Sequence, residues 1–564
     1  MKLKNIILLG TIAVAGLASC SDEMDYKEYS NYDKDYVFNN FDNVVGFVTN
    51  IYSYLDYDYG FSGNGMLASA CDEAEYSWRS GAINNFTNGS LSANNAPSEF
   101  GFYGGIREAN FFLANYQNSD FSEYKLNKDY ANQMARFNRL PYEARFLRAY
   151  FYFKLVSYYG DVPYYTKVLS TDETNALGRT PAKAVLDSVV QEMDAVIPHL
   201  PVSYATLEND AAAGETGRVT RLAALALKAR ALLYEASPLF NTSNDKELYH
   251  KAALASKAVI DSCEAYDHFL GNYTDLWGTD NWQADEVILA CRIGDLNSLE
   301  KANYPRGLEN ANGGNCPTQT LVDAYDMKST GKAWDEEGSG FDPEHPYNDR
   351  DPRLAQTIAV NGEKNWPSYN GTALETYYGG ANGEPLTGAT PTGYYLKKLL
   401  DGSVNITSAT SNSKRHSWVI FRLGEFYLDY AEAAFRYLGG ADATSPDLTM
   451  TPREALNMTR TRANMPEFPE GMSNDTFWKN YEKERMVELA FEDHRYFDIR
   501  RWKEGPQHAN IVEMKITKNS DGSFTYTRQN VKRTWNDKLY FLPIPHSEMM
   551  KHTNADFKQN PGYK

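Results

Sequence analysis

The sequence predicts a mainly α-helical fold with a loop-rich second part. Apolar residues recur at helical spacing in many segments before residue 271 and after residue 414. The stretch between them is instead dense in glycine, asparagine, proline and aspartate, as in the run NANGGN at 310–315. Loops this long inside a folded chain are uncommon and usually functional. We therefore expect helices to form the scaffold and the middle stretch to have a functional role.

Local signals place the individual helices. Residues 219–235 carry an apolar face whose alanines would let a partner helix approach closely, as arrays of helix pairs require. Thr180 and Pro181 predict a helix start, with threonine as the cap and proline at the first helical position. The sequence TPRE at 451–454 predicts a capping box. Further helices are expected at 39–55, 103–115, 142–159, 247–263, 421–438 and 477–491, and a late β-hairpin is expected from 513–517 and 523–528.

The N terminus has the pattern of a lipoprotein export signal. Lys2 and Lys4 precede an apolar run at 6–17 that ends on small residues, where a signal peptidase would cut. This run is too short to span a bilayer, which needs about 20 apolar residues. The sequence LASC at 17–20 is typical of a bacterial lipobox. We therefore expect Cys20 to carry a diacylglycerol and further acylation, which would hold the protein stably at a membrane.

The residues directly after Cys20 predict a tether outside the cell. Residues 21–35 are almost all acidic, Tyr, Ser, Asn or Lys, without periodicity. Their acidic start resembles the surface-export signal of Bacteroidetes lipoproteins.

The net charge of the chain narrows the range of partners. The chain has 56 basic and 74 acidic residues, so its net charge is −18. That charge argues against a nucleic-acid partner, because such partners are bound by basic faces.

Cysteines and acidic loops give little support for a bound ion. The four cysteines beyond Cys20 form no C-x-x-C pair, which argues against a metal knuckle and leaves disulfides open. These cysteines are Cys71, Cys263, Cys291 and Cys316. Asp56, Asp58 and Asn64 favour calcium only weakly, because their spacing does not match an EF-hand loop. We expect no cofactor and no metal, with structural calcium as a weak alternative.

No sequence pattern supports catalysis. The G-x-S-x-G elbow, the H-E-x-x-H motif and a phosphate-binding glycine loop are absent. Glu484, Glu488 and Glu492 recur four residues apart with His494 just beyond, a pattern that could indicate a metal. Several arginines lie close by in sequence, so ion pairs that cement helices are the better interpretation. We expect no catalytic residues.

Aromatic residues are the best sign of a binding surface. Tyrosine (41) outnumbers phenylalanine (27), and because a buried phenol needs a partner, the excess indicates rings at wet surfaces. Four tryptophans lie in or beside regular segments and are expected to pack: Trp418, Trp478, Trp502 and Trp535. Five lie in loops among amides and charges: Trp78, Trp277, Trp282, Trp334 and Trp366. Local packing is the commoner role for any single one, but five together predict at least one ring on which a sugar could stack.

The carboxy-terminal third carries a resemblance to a known family. Residues 481–502, YEKERMVELAFEDHRYFDIRRW, closely resemble the ER-x-x-ELAFEGHR-x-x-D-x-RRW signature of the SusD/RagB family, the glycan-binding lipoproteins of Bacteroidetes. One departure is Asp493, which stands where the family usually has glycine, so a backbone with positive φ is expected there. Supporting matches are RFLRAYFY at 145–152, YGDVP at 159–163, ARALLY at 229–234, NDRDPR at 348–353, RLGE at 422–425, LPIP at 542–545 and QNPGY at 559–563.

The resemblance implies a fold and a role. Family members have four tetratricopeptide-like helix pairs that support a loop-rich part with the glycan site. They act as a hinged lid on a SusC-like TonB-dependent transporter in the outer membrane. We therefore expect a surface-exposed, lipid-anchored protein that captures glycan and does not transform it. Two alternatives remain open: a lid for peptides, as in RagB-like relatives, and a surface glycoside hydrolase, which the missing motifs disfavour.

Regions and site residues follow from these interpretations. The expected regions are a signal peptide (1–19), an acidic tether (20–35), an N-terminal helical region (36–270), a loop-rich excursion (271–414) and a C-terminal helical region with the hairpin (415–564). Similar proteins carry ligand contacts after the first helix and in the middle region. The expected ligand-binding residues are Asp72, Trp78, Arg79, Tyr304, Trp334 and Trp366.

Overall fold

The computed structural model describes residues 34–204, 215–364 and 371–563. Helices dominate, and short 3₁₀ turns lie between many of them. The helices of the first half are α1 (Lys34–Phe38), α2 (Phe41–Ile51), α3 (Phe102–Asn115), α4 (Tyr130–Phe137), α5 (Leu140–Tyr159), α6 (Thr171–Asn175), α7 (Ala182–Val196), α8 (Arg221–Ala236) and α9 (Lys246–Ala265). Those of the second half are α10 (Ser298–Asn303), α11 (Gln319–Ala324), α12 (Pro352–Thr357), α13 (Leu423–Leu438), α14 (Pro452–Arg462), α15 (Asn474–Glu488), α16 (His494–Arg501) and α17 (His546–Met549).

The long helices form one array in which most pack against their neighbours along the chain. Helix α3 packs on α5, α5 on α7, α7 on α8, α8 on α9, α9 on α13 and α13 on α14. The alanines on the inner face of α8, including Ala223, Ala226 and Ala229, are fully buried. Small side chains there let adjacent helices approach closely. The predicted helices are confirmed, with ends displaced by a few residues.

The two predicted helix starts differ in outcome. Thr451 caps α14 through a complete capping box with Glu454, and Pro452 is the first helical residue, as predicted. Thr180 does not cap α7. It forms a backbone bridge with Val162 instead, and Pro181 occupies the cap position without a side-chain hydrogen bond. The threonine prediction was wrong because the bridge holds that residue outside the helix.

The strands form four small antiparallel sheets of two strands each. The strands are β1 (Ala74–Tyr76), β2 (Val287–Leu296), β3 (Asn315–Pro317), β4 (Ile358–Ala359), β5 (Tyr395–Leu396), β6 (Lys414–Arg422), β7 (Ile511–Lys518) and β8 (Phe524–Val531). They pair as β1–β3, β2–β6, β4–β5 and β7–β8. The β7–β8 pair is the predicted late hairpin, in regular register from Ile511 opposite Val531 to Lys518 opposite Phe524. Strand β2 lies in the loop-rich stretch and β6 leads into α13, so this pair joins the middle of the chain to the helical array.

A buried network of charges surrounds helix α15. Glu488 has 0% exposure and accepts hydrogen bonds from Arg353 at 2.8 Å, from Arg422 at 2.7 Å and from Arg462. Burial alone would raise the pKa of the Glu488 carboxyl, but the arginines hold it well below its usual range. Glu484, one turn earlier in α15, pairs with Arg353. Glu492, in the segment between α15 and α16, pairs with Arg422 and Lys398. The three glutamates are therefore structural.

The arginines that follow these glutamates in sequence bond to other carboxylates or to backbone carbonyls. Arg495 pairs with Asp72, whereas Arg501 pairs with Glu432 and Asp498. Arg500 donates to the backbone carbonyls of Leu539 and Tyr496. The reason is the turn before α16, where Asp493 has a φ of +61° and redirects the chain. The positive φ expected at Asp493 is confirmed.

The remaining expectations on anchoring fall partly outside the described residues. Cys20, the export signal and most of the tether lie in residues 1–33, which are not described. The other four cysteines are free thiols, three of them buried and Cys291 half-buried. Among the helices of the described ranges, none combines the length and apolar character needed to cross a membrane.

We predict that Glu488→Ala destabilises the protein by about 3–5 kcal/mol, because it leaves three buried arginines without their shared carboxylate. The free energy of unfolding from a denaturant titration measures this loss. Glu470→Ala is the matched control, since the Glu470 side chain is 84% exposed and its pairing with Arg453 is expected to contribute little. Equal stability of the two variants would contradict a structural role for Glu488.

Candidate functional site

A cleft of about 660 Å³ lies between the end of β1 and the loop at 384–391. Trp78, Arg79, Tyr378, Glu384 and Leu386 are among its lining residues. Tyr378 is 68% exposed, more than any other Phe, Tyr or Trp among the described residues. The Arg79 side chain is 91% exposed. The cleft therefore offers aromatic and charged groups to solvent at one place.

Trp78 is held in a fixed orientation at one wall. Its Nε1 donates a hydrogen bond to the Asn312 carbonyl at 2.8 Å. Gly388 lies directly against the ring, where a Cβ atom would come within 2.6 Å of Cζ2. The Arg306 guanidinium lies 5.7 Å from the ring centroid. Because the partners of Trp78 already fix its ring, little side-chain entropy is lost when a ligand packs there.

Tyr378 is positioned by the late hairpin. Its backbone N–H donates to the Ile516 carbonyl on β7 at 2.9 Å. The neighbouring Tyr377 ring packs against Phe524 on β8, with centroids 5.4 Å apart. Tyr377 therefore fastens the loop to the hairpin and leaves the next ring, Tyr378, facing solvent.

Charged groups lie in and beside the same cleft. Glu384 lies 3.9 Å from Arg79 and 3.2 Å from Lys515 on β7. Lys515 also donates to the Pro391 carbonyl. Guanidinium and ammonium groups can donate hydrogen bonds to hydroxyls, and carboxylates can accept hydrogen bonds from them. Aromatic rings can stack on the C–H faces of a sugar. This arrangement suits an uncharged polyhydroxylated ligand.

Trp78 and Arg79 are the two predicted residues that the structure brings together in the cleft. Asp72, six residues before Trp78, is only 1% exposed. Its carboxylate accepts two hydrogen bonds from Arg495, at 2.9 and 2.7 Å. Burial alone would raise the pKa of Asp72, but Arg495 and His508 hold it well below its usual range. The expectation that Asp72 contacts ligand was wrong, because its side chain is buried and bonds its segment to Arg495 on α16.

Tyr304 is also in the core. It has 0% exposure, and its hydroxyl donates to the carbonyls of Asp401 and Val404. A ring enclosed in this way cannot form a platform for a ligand. The prediction for Tyr304 was wrong, since the phenol that suggested a wet surface is satisfied by backbone groups.

Of the loop tryptophans within the described residues, only Trp78 lines the cleft. Trp334 is half-buried, with its ring edge-on to Phe341 and under the Arg528 guanidinium, and neither partner lines the cleft. Trp277 and Trp282 are half-buried too, packed beside Tyr273 and Arg292 respectively. Trp366 lies outside the described residues. The four tryptophans expected to pack do so: Trp418 and Trp502 are buried, and Trp478 and Trp535 are partly buried against the core.

Two residues of the weak calcium expectation, Asp56 and Asp58, have protein partners. Asp56 accepts a hydrogen bond from Tyr150 and pairs with Lys154. Both carboxylate oxygens of Asp58 accept backbone N–H groups, from Phe61 and Leu67. These side chains are therefore already committed to protein donors.

Sequence reasoning missed Tyr378 and Glu384. Signals for Tyr378 were present: the excess of tyrosine, and the YYGG run at 377–380, where two glycines follow two aromatic residues. Glu384 had no signal, because its partner Lys515 lies 131 residues further along the chain.

Two family models match the chain. One, described as the SusD family, matches residues 285–563. The other, described as starch-binding and associating with the outer membrane, matches residues 24–233. The chain belongs to the SusD family, which confirms the resemblance of its signatures.

Individual relatives agree with this assignment. A curated SusD-like protein of Formosa agariphila is 24% identical over 386 residues, which cover 64% of this chain and 63%, less than two thirds, of the relative. The solved structure of a SusD-like protein from Bacteroides fragilis has a TM-score of 0.73 and 26% identity, covering 94% of this chain and 98% of that one. A SusD-like carbohydrate binding protein of the same species has a TM-score of 0.73 and 24% identity, covering 93% and 100%. The mainly helical fold with small two-stranded sheets is that of the family.

We predict that Arg495→Ala lowers stability by about 3–5 kcal/mol, because it leaves the Asp72 carboxylate buried without its charged partner. Thermal unfolding followed by circular dichroism measures the change. Arg79→Ala, which removes an exposed guanidinium from the cleft, is the control and is expected to leave the melting temperature nearly unchanged. A melting temperature of Arg495→Ala equal to that of the parent would contradict this account of Asp72.

Proposed function

We propose that this protein captures glycans at the cell surface, in the cleft between Trp78 and Tyr378. The observation that carries the proposal is that two aromatic side chains, one half-buried and one 68% exposed, line one cleft together with exposed hydrogen-bonding groups. A sugar presents C–H faces and hydroxyls together, which matches this mixture. The carbohydrate-binding title of one structural neighbour and the starch-binding description of one family model support the same ligand class.

We propose that the protein binds the glycan without changing it chemically. The cleft is lined by two carboxylates, Glu75 and Glu384. Each is beside a cation: Glu384 lies 3.2 Å from Lys515, and Glu75 lies 3.6 Å from Arg533. Glycoside hydrolysis uses a pair of carboxyl groups that are free to act on the substrate, whereas both carboxylates here are engaged with cations of the protein. The cleft is therefore suited to binding rather than hydrolysis.

The proposed cellular role is that of a lid on a SusC-like TonB-dependent transporter. Membership of the SusD family supports this partner, and the lipobox at Cys20 supports an acyl anchor in the outer membrane. The description of one family model as associating with the outer membrane supports the same location. The acidic residues after Cys20 support display on the outer face.

A glycan and peptide array probed with the detergent-solubilised full chain tests the ligand class. We predict selective binding of one or more oligosaccharides and their recovery unchanged after incubation. For the selected oligosaccharide, Tyr378→Ala is expected to weaken binding by about 1–3 kcal/mol, by analogy with stacking of bases on aromatic side chains. That loss corresponds to roughly 5–150-fold in Kd, measured by calorimetry.

The matched control is Tyr266→Ala, which removes a ring that is 42% exposed and lies at the end of α9, outside the cleft. Its Kd is expected to equal that of the parent. Equal affinity of the Tyr378→Ala variant would contradict the proposed cleft. Selection of peptides in place of glycans would overturn the ligand class, and release of reducing ends would overturn the binding-only role.

A further inference from the structure

A second cavity lies apart from the cleft, where the start of α3 meets α17 and the residues after it. It measures about 320 Å³ and is lined from four parts of the chain, within 98–103, 163–165, 174–175 and 548–552. None of its lining residues also lines the cleft. Its size is at the lower end for small-molecule sites, which suits a single sugar unit better than a long chain. We propose that this cavity is a second binding site, for an uncharged sugar.

Aromatic rings form the apolar part of the cavity. Phe100, Tyr103 and Tyr165 all line it. The Tyr103 and Tyr165 rings are parallel to within 6°, with centroids 6.1 Å apart. The Phe100 ring centroid lies 5.4 Å from that of Tyr103. Rings grouped in this way provide a surface on which the C–H face of a sugar can pack.

Hydrogen bonds within the protein fix the Tyr103 ring and the backbone of Tyr165. The Tyr103 hydroxyl donates to the Pro163 carbonyl at 2.8 Å. The Tyr165 N–H donates to the Tyr152 hydroxyl at 2.9 Å, and that hydroxyl donates to the Tyr165 carbonyl at 2.6 Å. Because these groups are already ordered, less conformational entropy is lost when a ligand packs against them.

Several polar groups that line the cavity are not used by the protein itself. The hydroxyls of Ser98 and Tyr165 and the side-chain amide of Asn175 form no hydrogen bond with any described residue. Asn175 is held through its backbone carbonyl, which accepts from the Thr553 N–H at 2.8 Å, so its amide stays available. Hydroxyl and amide groups can both donate to and accept from the hydroxyls of a sugar. A few such groups beside apolar rings are typical of small-molecule sites.

The charges at the cavity favour an uncharged ligand. Glu548 and Lys551 are the two lining residues with a full charge, and they pair with each other at 2.7 Å. Burial lowers the pKa of His552, so its imidazole is neutral at neutral pH. No lining residue therefore offers an unpaired charge to a uronate or a sulfated sugar.

Ligand-detected NMR on the full chain tests the proposal. The protein is solubilised in a detergent without a sugar headgroup, and saturation transfer is measured to the methyl glycosides of glucose, galactose, mannose and xylose. Tyr378→Ala is the starting protein, so that binding in the cleft is weakened and the second site is observed. We expect saturable binding of at least one of these glycosides to the Tyr378→Ala protein.

Two further variants and one control locate the site. In the same background, Tyr165→Ala is expected to raise the Kd of the glycoside roughly 5–150-fold, by analogy with stacking of bases on aromatic side chains. Asn175→Ala removes one hydrogen-bonding side chain and is expected to raise the Kd about 3–10-fold. It keeps the backbone bond to Thr553, so it tests the site even where Tyr165→Ala fails to fold. Tyr266→Ala, at the end of α9 and outside the cavity, is expected to leave the Kd unchanged.

The outcomes separate this site from the cleft. Absence of saturable binding to the Tyr378→Ala protein, or unchanged affinity in the folded Asn175→Ala variant, would overturn the second site. Binding to the parent that Tyr378→Ala abolishes would overturn it while supporting the cleft. Preference for methyl glucuronide over all four neutral glycosides would overturn the uncharged ligand class.

Discussion

The structure depends on the ion pairs that Glu488 makes inside the protein. Its three arginines come from different parts of the chain: Arg353 from α12 in the loop-rich stretch, Arg422 from the end of β6, and Arg462 from α14. Removing charges from water is costly, so such a group forms only where all of its partners arrive together. Glu488 is therefore one point at which the loop-rich part and the helical array are fixed to each other.

The same kind of contact extends from the scaffold to the cleft. Arg495 on α16 holds the Asp72 carboxylate, and Arg533 donates to the backbone carbonyls of Cys71 and Ala74. These bonds fix β1 and the turn that carries Trp78. On the opposite wall, β7 supplies the carbonyl that fixes Tyr378. Trp78 and Tyr378 therefore lie on segments that are hydrogen-bonded to the scaffold. Because these segments are already ordered, less conformational entropy is lost when a ligand binds.

Much of the fold could be predicted from the sequence, because helical periodicity and caps are local properties. Helix α8 and the capping box at Thr451 are examples. The prediction that Thr180 caps α7 failed because the backbone of Thr180 pairs with Val162, which lies outside that helix. Trp78 and Arg79, which were predicted, line the proposed cleft, whereas Asp72 is buried below it through a partner 423 residues away. Nothing within a loop sequence reveals such a distant partner, or shows which of 41 tyrosines is exposed.

Hydrogen–deuterium exchange of the full chain, with and without the oligosaccharide selected on the array, tests the central claim most directly. The account predicts slow exchange in α15 and α16, whether ligand is present or absent. It also predicts that ligand slows exchange at residues 76–80 and 378–391, on the two walls of the cleft. Ligand-induced protection confined to other segments, or fast exchange in α15 without ligand, would contradict a binding cleft carried on a rigid, charge-paired scaffold.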